Sequence, residues 1–137
     1  MHVLNQKITI INIRKPSMPK RTINDELQWF GNSLGLFNLR DKNKSCFRIF
    51  IELLKSTKKN ISLSSDELAY KLNLTRGTVI HHINKLEEAG IVVSQKNRYF
   101  LRVENLEMLI NELEKDVQRT ISDLRSVAKE IDGKIGL

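Results

Sequence analysis

Residues 75–89 carry polar and basic side chains at spacings that would place them on one side of a helix. At about 100° per residue, Val79, Ile83 and Leu86 fall in one narrow sector, which suits packing against a neighbouring helix. Polar, charged or small residues occupy the outward surface and the first turn: Thr75, Arg76, Gly77, Thr78, His81, Asn84, Lys85 and Glu88. Such a surface can form hydrogen bonds to base edges and to phosphate groups.

Most of these residue types fit a particular contact with a duplex. Arg76 could donate two hydrogen bonds to one guanine edge, and Thr78 and His81 could reach a base or a phosphate. The amides of the first turn, unhindered at Gly77, suit a phosphate. Lys85 lies further along the helix, where we expect it to contact the phosphate backbone.

The sequence gives little support for metal binding or catalysis. His81 and His82 are neighbours in a helix, point about 100° apart and cannot chelate one ion. Cys46 is the single cysteine, which excludes an internal disulfide, and its apolar neighbours predict a buried thiol. The sequence has no glycine-rich phosphate loop, no recognisable catalytic constellation and no cofactor motif. We therefore expect a protein without enzymatic activity, without a cofactor and without a metal.

Two short helices must position the polar surface. Leu63, Ser64, Glu67 and Leu68 stand at the positions of a hydrophobic staple and a capping box, which predicts a helix start. After a turn of two residues the second helix begins at its own cap, and Gly90 suits the left-handed position after its end. Two helices joined by so short a turn diverge steeply, as in a helix-turn-helix.

Two β-rich runs follow the second helix, at residues 91–94 and 99–103. The polar residues between them predict a tight turn, so the two runs should form a small hairpin that completes the outline of a winged helix. At the tip, Lys96, Asn97 and Arg98 could hold phosphate beside the inserted helix. The alternative is a solvated turn without a binding role.

The N-terminal third of the chain is less regular. Residues 6–13 predict a short strand, and two prolines with four positive charges in residues 14–21 indicate a linker or a basic arm. Such an arm could enter a minor groove or be disordered. A helix is predicted over residues 22–37, and the apolar segment 46–54 predicts a helix in the centre of the fold.

An apolar seam runs through the C-terminal segment. Its residues alternate three and four apart, except where Thr120 occupies the expected position: Leu106, Ile110, Leu113, Val117, Leu124, Val127 and Ile131. A seam sustained over about four heptads predicts a coiled coil. We therefore expect two copies of the chain to pair through this helix.

The charge of the chain is concentrated in its middle. The net charge of +7 over 137 residues divides into +3 for residues 1–39, +7 for residues 40–103 and −3 for residues 104–137. The basic middle could bind phosphate, which the acidic tail would repel. No apolar run of about 18 residues and no signal-peptide pattern occurs, so we expect a cytoplasmic protein without a membrane partner.

The stretch LSSDELAYKLNLTRGTVIHHINKLEEAGIVV, followed by a hairpin and a long helix, resembles the ArsR-like winged-helix transcription regulators, particularly their archaeal members. The segment TRGTVIHHINKLEEAGIVV carries most of the likeness, which covers about residues 40–132. It implies a homodimeric, sequence-specific DNA-binding regulator whose second helix enters the major groove. Members that sense metals hold a cysteine pair on the helix matching residues 65–72, which this sequence lacks.

These observations predict a mainly α-helical fold with a small β-hairpin. We expect an N-terminal strand and basic arm at 1–21, a winged helix-turn-helix DNA-binding domain at 22–103, and a C-terminal coiled-coil dimerisation helix at 104–137. The leading hypothesis is a homodimeric transcription regulator that binds double-stranded DNA. The alternative is a winged-helix adaptor of the transcription machinery that docks protein through the coiled coil; the polar and basic face of residues 75–89 argues against it.

Overall fold

Five helices and three short strands make up the part of the chain that the computed structural model describes, residues 22–35 and 44–136. In chain order they are α1 (Ile23–Ser33), α2 (Ser45–Lys58), β1 (Leu63–Ser64), α3 (Ser65–Leu72), α4 (Arg76–Glu88), β2 (Val92–Gln95), β3 (Arg98–Leu101) and α5 (Leu106–Ile135). The described residues divide into two compact units, one of residues 22–35 with 44–104 and one of residues 105–136. The strand predicted at 6–13, the arm at 14–21 and the end of the helix predicted over 22–37 lie outside the described residues.

Helix α1 begins with a capping box. The Thr22 hydroxyl accepts from the Asp25 amide at 3.1 Å, and the Asp25 carboxylate accepts from the Thr22 amide at 3.1 Å. Hydrogen bonds from the Thr22 backbone and hydroxyl hold the pKa of Asp25 below its ordinary value, because they favour the ionised form. This contribution to stability is therefore present at neutral pH and is lost as the pH falls through the lowered pKa.

Helix α1 ends earlier than the sequence predicts. Its last helical residue is Ser33, and Gly35 follows in the left-handed region with φ of 73°. The Gly35 amide donates to the Asn32 carbonyl at 3.0 Å, which turns the chain away from the helix axis. The Phe30 ring stacks on Phe50 of α2 with centroids 6.3 Å apart, so α1 packs on the central helix.

Helix α2 lies in the centre of residues 44–104, as the apolar segment 46–54 predicts. Its fully buried apolar side chains are Cys46, Ile49, Phe50 and Leu53. The Leu101 amide donates to the Thr57 hydroxyl at 3.0 Å, which joins the sheet to this helix. The prediction of a buried Cys46 is confirmed.

The three strands form one antiparallel sheet in the order β1-β3-β2. Strands β2 and β3 make the predicted hairpin, and its two turn residues, Lys96 and Asn97, both have positive φ, 53° and 62°. Such a turn matches the twist of the flanking strands. Strand β1 was not predicted: it pairs Leu63 with Tyr99 of β3, and two residues are too few to show a periodic pattern.

The sector of α4 that the sequence assigns to packing is fully buried. Val79, Ile83 and Leu86 have no exposed surface, and each contributes about 1.5–3 kcal/mol by its burial. The helix ends at Glu88, and Gly90 adopts φ of 75°, as predicted for the residue after a helix. This packing leaves the opposite side of α4 for other contacts.

Helix α5 begins at its Asn105 cap, whose side chain accepts from the Met108 amide at 2.8 Å. It continues through Gly133 and ends before Gly136, which has φ of 74°. Its 30 residues span roughly 45 Å. The fold prediction is confirmed: the chain is mainly helical, with a small sheet and a long C-terminal helix. Among the residues the structure describes, no helix is long and apolar enough to cross a membrane.

Candidate nucleic-acid interface

The turn between α3 and α4 is determined by the caps on either side. Asn73 ends α3 in the left-handed conformation with φ of 54°, and the Leu74 amide donates back to the Ala69 carbonyl at 2.9 Å. Thr75 then starts α4, and its hydroxyl accepts from the Thr78 amide at 3.1 Å. The chain therefore changes direction within three residues, as a helix-turn-helix requires.

Helix α2 fixes the orientation of α3. The Arg48 guanidinium donates to the Leu72 carbonyl at the C-terminus of α3, where a cation also interacts favourably with the helix dipole. Near the same end, Lys71 lies 3.3 Å from the Glu52 carboxylate of α2. Because α4 follows after so short a turn, these contacts also help to fix the position of α4.

Most of the residues predicted to contact nucleic acid lie on the outward side of α4. Arg76, Gly77 and His81 are exposed, whereas Thr78 and Lys85 are half-buried. The side chain of Arg76 has 72% of its surface exposed, so its guanidinium can be reached from solvent. The outward surface of α4 is therefore polar, and it includes a cation in the first turn.

The first turn of α4 also offers backbone donors. The Thr75 hydroxyl accepts a hydrogen bond from the Thr78 amide. The amides of Arg76 and Gly77 lie in the first turn, where backbone amides have no acceptor within the helix. A Cβ atom added at Gly77 would meet no other atom within 4 Å. An anion can therefore approach the backbone at Gly77 closely, and the protein does not need a glycine there for its own packing.

Replacing Gly77 by alanine should change stability and DNA binding in opposite directions. We expect Gly77→Ala to raise the free energy of unfolding by up to about 1 kcal/mol, since alanine favours helix over glycine. The added methyl group should weaken binding to duplex DNA about tenfold, the value of one charge-assisted hydrogen bond. Thermal unfolding and fluorescence anisotropy measure the two effects.

Gly133→Ala is the matched control for Gly77→Ala. Gly133 also lies in a helix with open space around its missing Cβ. This substitution should stabilise α5 and leave DNA affinity unchanged. Equal DNA affinity for wild-type protein and Gly77→Ala would show that no phosphate approaches the backbone at Gly77.

The first turn of α3 contacts both α4 and β3. The Asp66 carboxylate lies 3.6 Å from Nε of Arg76, and the Glu67 carboxylate accepts from Nη1 of Arg98 at 2.9 Å. Asp66 was not predicted as a site residue, and Glu67 was predicted only as part of a capping box. The Ser64 half of that box is present, with its hydroxyl accepting from the Glu67 amide at 3.1 Å. Acidic residues in a first helical turn are common in any helix, so no signal in the sequence singled them out.

Arg98 has a structural role that the sequence did not predict. Its Nη2 donates to the Ser62 carbonyl at 2.7 Å, and its Nε donates to the Ser62 hydroxyl at 3.0 Å. Together with the contact to Glu67, these bonds attach β3 to the start of α3. The Arg98 side chain keeps 43% of its surface exposed, so its phosphate contact stays a prediction beside this structural role. Lys96 and Asn97 of the turn are exposed.

Lys96 and Arg98 should respond differently to substitution. Lys96→Gln removes a charge at an exposed turn, so we expect the slope of log affinity against log salt to decrease by about 0.9 for each phosphate that Lys96 neutralises, with thermal stability unchanged. Arg98→Ala should lower the free energy of unfolding by about 1–2 kcal/mol, because it removes the hydrogen bonds to Ser62 and Glu67. A decrease of the slope in this variant as well would show that Arg98 also contacts phosphate. Anisotropy titrations at several salt concentrations test both, and an unchanged slope for Lys96→Gln would remove the hairpin tip from the interface.

Tyr70 is a second exposed residue that sequence analysis missed. It belongs to α3 and has 91% of its surface exposed, four residues after Asp66 on the same face of the helix. An aromatic side chain so exposed adds nothing to the core, while its hydroxyl can donate a hydrogen bond. Helix α3 therefore presents polar groups beside the outward surface of α4.

The remaining titratable groups of α4 do not form a metal site. The rings of His81 and His82 have centroids 5.1 Å apart in an edge-to-face arrangement. Across residues 22–35 and 44–136, no group of three or more histidine, cysteine, aspartate and glutamate side chains is placed to hold a metal.

Partial burial raises the pKa of the Glu87 carboxyl, because desolvation disfavours its charged form.

An exposed apolar stripe lies along the second half of α5. We call the α5 stripe the residues that follow each other at intervals of four and three along one face: Val117, Ile121, Leu124, Ala128, Ile131 and Ile135. Ile121, Ala128 and Ile135 were not predicted, because the predicted seam passed through Thr120, whereas the exposed apolar residue is Ile121, one position later. Among the predicted seam residues, Val127 lies about 80° from the stripe centre at 100° per residue. Leu113 is only 5% exposed, so within the single chain it is not part of the exposed stripe.

Residues 49–100 match a protein family described as an HTH domain. The matched segment runs from α2 to β3 and includes α3, the turn and α4. No curated protein and no solved structure is significantly similar to the chain. A helix-turn-helix domain indicates DNA binding and is typical of regulators that are not enzymes.

Proposed function

We propose that this chain is a sequence-specific DNA-binding transcription regulator that acts as a homodimer and inserts α4 into the major groove. The observation that carries the proposal is the outward surface of α4, where an exposed arginine stands in the first turn beside a glycine with open space around it. In a helix-turn-helix, the N-terminal residues of the second helix contact the base edges.

In this proposal, different residues of the surface contact different parts of the DNA. Arg76 reads a guanine edge, and Thr78 and His81 contact a base or a phosphate. The first-turn amides around Thr75 and Gly77 hold a phosphate. Lys85 on α4, together with Lys96 and Asn97 at the hairpin turn, contacts the phosphate backbone, so affinity depends strongly on salt concentration.

The resemblance of residues 40–132 to ArsR-like regulators supports this assignment, archaeal members in particular. The positive charge of residues 40–103 fits a polyanionic partner. The absent cysteine pair at residues 65–72 separates the chain from members that sense metals there. We therefore propose a regulator of that general type without this metal-sensing site.

Pairing of two chains through the α5 stripe completes the proposal. The stripe alternates between two seam positions of a heptad repeat. One position holds Ile121, Ala128 and Ile135, and the other holds Val117, Leu124 and Ile131. Isoleucine at the first position with leucine at the second is compatible with a two-stranded coiled coil. A two-fold dimer would present two α4 helices to half-sites one DNA turn apart, about 34 Å. This predicts a binding site with inverted-repeat symmetry.

Selection of bound duplexes from a random pool, at two salt concentrations, tests the proposed function. Wild-type protein should enrich one sequence with two related halves, and log affinity for unrelated duplexes should decrease at least as steeply with log salt as log affinity for that sequence. Enrichment of no sequence, with equal binding of all duplexes, would contradict sequence-specific recognition. Absence of any DNA binding at low salt would contradict the proposal altogether.

A winged-helix adaptor that docks another protein is the second candidate function, because the exposed α5 stripe would equally suit a different protein helix. The two functions differ in the behaviour of the purified chain. A regulator of the proposed type forms a homodimer on its own, whereas the adaptor remains monomeric until its partner is added and binds DNA weakly. Sedimentation velocity of the purified protein separates them.

A further inference from the structure

We propose that Asp66 is a positioning residue for Arg76, and that the pair rather than Arg76 alone determines which base is preferred. This inference rests on the function proposed above. The carboxylate lies 3.6 Å from Nε of Arg76, so it approaches the side of the guanidinium group. The contact is at Nε, so it leaves the end of the guanidinium group, where Nη1 and Nη2 can donate to the O6 and N7 atoms of one guanine, available to DNA.

The contact adds little to the stability of the fold. Both side chains are largely exposed, 72% for Arg76 and 78% for Asp66, and such ion pairs are weak in water. Its effect is on conformation: a free arginine samples many rotamers, and these must be restricted when it binds a base. A carboxylate at Nε favours rotamers of Arg76 in which the two Nη donors are directed toward solvent before DNA binds.

The position of Asp66 is itself well determined. It lies in the first turn of α3, next to Glu67, whose amide donates to Ser64 and whose carboxylate accepts from Arg98. The start of α3 is thereby attached to β3 on one side and approaches α4 on the other. Asp66 therefore approaches Arg76 from a fixed element.

The charge of Asp66 makes the inference testable, because it acts against non-specific binding. A carboxylate beside a phosphate-binding surface repels the phosphates of every duplex equally. The Asp66 carboxylate favours binding only on a duplex where Arg76 contacts its matching base. Removal of the charge should therefore raise affinity for random DNA and lower the preference for the selected sequence.

The experiment compares Asp66→Asn with wild-type protein on two probes. One is the duplex most enriched from a random pool by wild-type protein, and the other is a scrambled duplex of the same composition. We expect Asp66→Asn to reduce the ratio of the two affinities about threefold to tenfold, with tighter binding of the scrambled duplex. Asp66→Glu retains the charge and should restore part of the ratio, which a loss of helix stability alone would not explain.

Glu88→Gln is the matched charge control. Glu88 is exposed at the far end of α4, about 18 Å along the helix from Arg76. Its substitution should leave the ratio unchanged. In an Arg76→Lys background, which lacks the paired Nη donors, Asp66→Asn should also leave the ratio unchanged.

Several results would overturn the inference. An equal change on both probes would show that Asp66 acts only through its charge, and a higher ratio would show that it competes with DNA for Arg76. A reduced ratio that persists in the Arg76→Lys background would show that Asp66 acts through another group. If wild-type protein prefers no sequence, the proposed function fails and this inference fails with it. If wild-type protein does select a sequence and Asp66→Asn retains the ratio, only the proposed role of Asp66 is contradicted, and the proposed function stands.

Discussion

Arg76→Ala should weaken binding to the selected duplex by about 1–3 kcal/mol while leaving binding to scrambled DNA much less affected. The physical reason is that a bidentate arginine–guanine contact carries sequence information, whereas a phosphate contact does not. Arg76 is exposed in the first turn of α4, so its removal should not disturb the core. Anisotropy titrations with both duplexes measure the effect.

Two further variants sharpen this test. Arg76→Lys retains the positive charge but lacks the paired Nη donors. This variant should lose most of the preference for the selected duplex and little of the affinity for scrambled DNA. Lys55→Ala removes one exposed positive charge from α2, and any loss it causes should be equal on both duplexes. If Arg76→Ala also loses equal affinity on both duplexes, Arg76 contacts phosphate and does not read a base.

Leu124→Asp combined with Ile131→Asp should convert the protein to monomers. Both residues belong to the α5 stripe and are at least half exposed in the single chain, so the helix-turn-helix domain should remain folded. Each aliphatic side chain buried at an interface contributes about 1.5–3 kcal/mol before entropic costs, and a buried unpaired carboxylate adds a penalty. We expect the dimer Kd to rise by at least about a thousandfold.

Sedimentation velocity and DNA titrations test this prediction together. The monomeric variant should still bind a half-site weakly and should lose the cooperative binding of the full two-fold site. Ser122→Asp with Ser126→Asp adds the same charge on the opposite side of α5, and this control should remain dimeric. A dimer that survives the substitutions in the stripe would place the interface elsewhere.

Local signals in the sequence predicted most of the helix-turn-helix correctly. The caps at Ser64 and Thr75, the left-handed Gly90 and the buried sector of α4 all depend on residues within four positions of each other along the chain. Such signals operate through hydrogen bonds and side-chain contacts of one helical turn, so they can be recognised without knowing the fold. The same holds for the hairpin turn at Lys96 and Asn97, where both residues adopt positive φ.

The candidate site was predicted in part. The sequence identified the exposed polar surface of α4, since helical periodicity alone separates its two sides. It assigned Arg98 to phosphate, because a basic residue near a turn has no visible partner in the sequence. The partner, Ser62, lies 36 positions earlier and comes close only when β1 pairs with β3.

What the sequence by itself determined are the helices, their ends, the hairpin and the polar side of α4, because each depends on neighbouring residues. Only the tertiary structure decided which charges meet. The placement of Asp66 beside Arg76 depends on the angle between α3 and α4, and the attachment of Arg98 to Ser62 and Glu67 depends on the sheet. Contacts of this kind join separate elements, so their geometry exists only after the elements have packed.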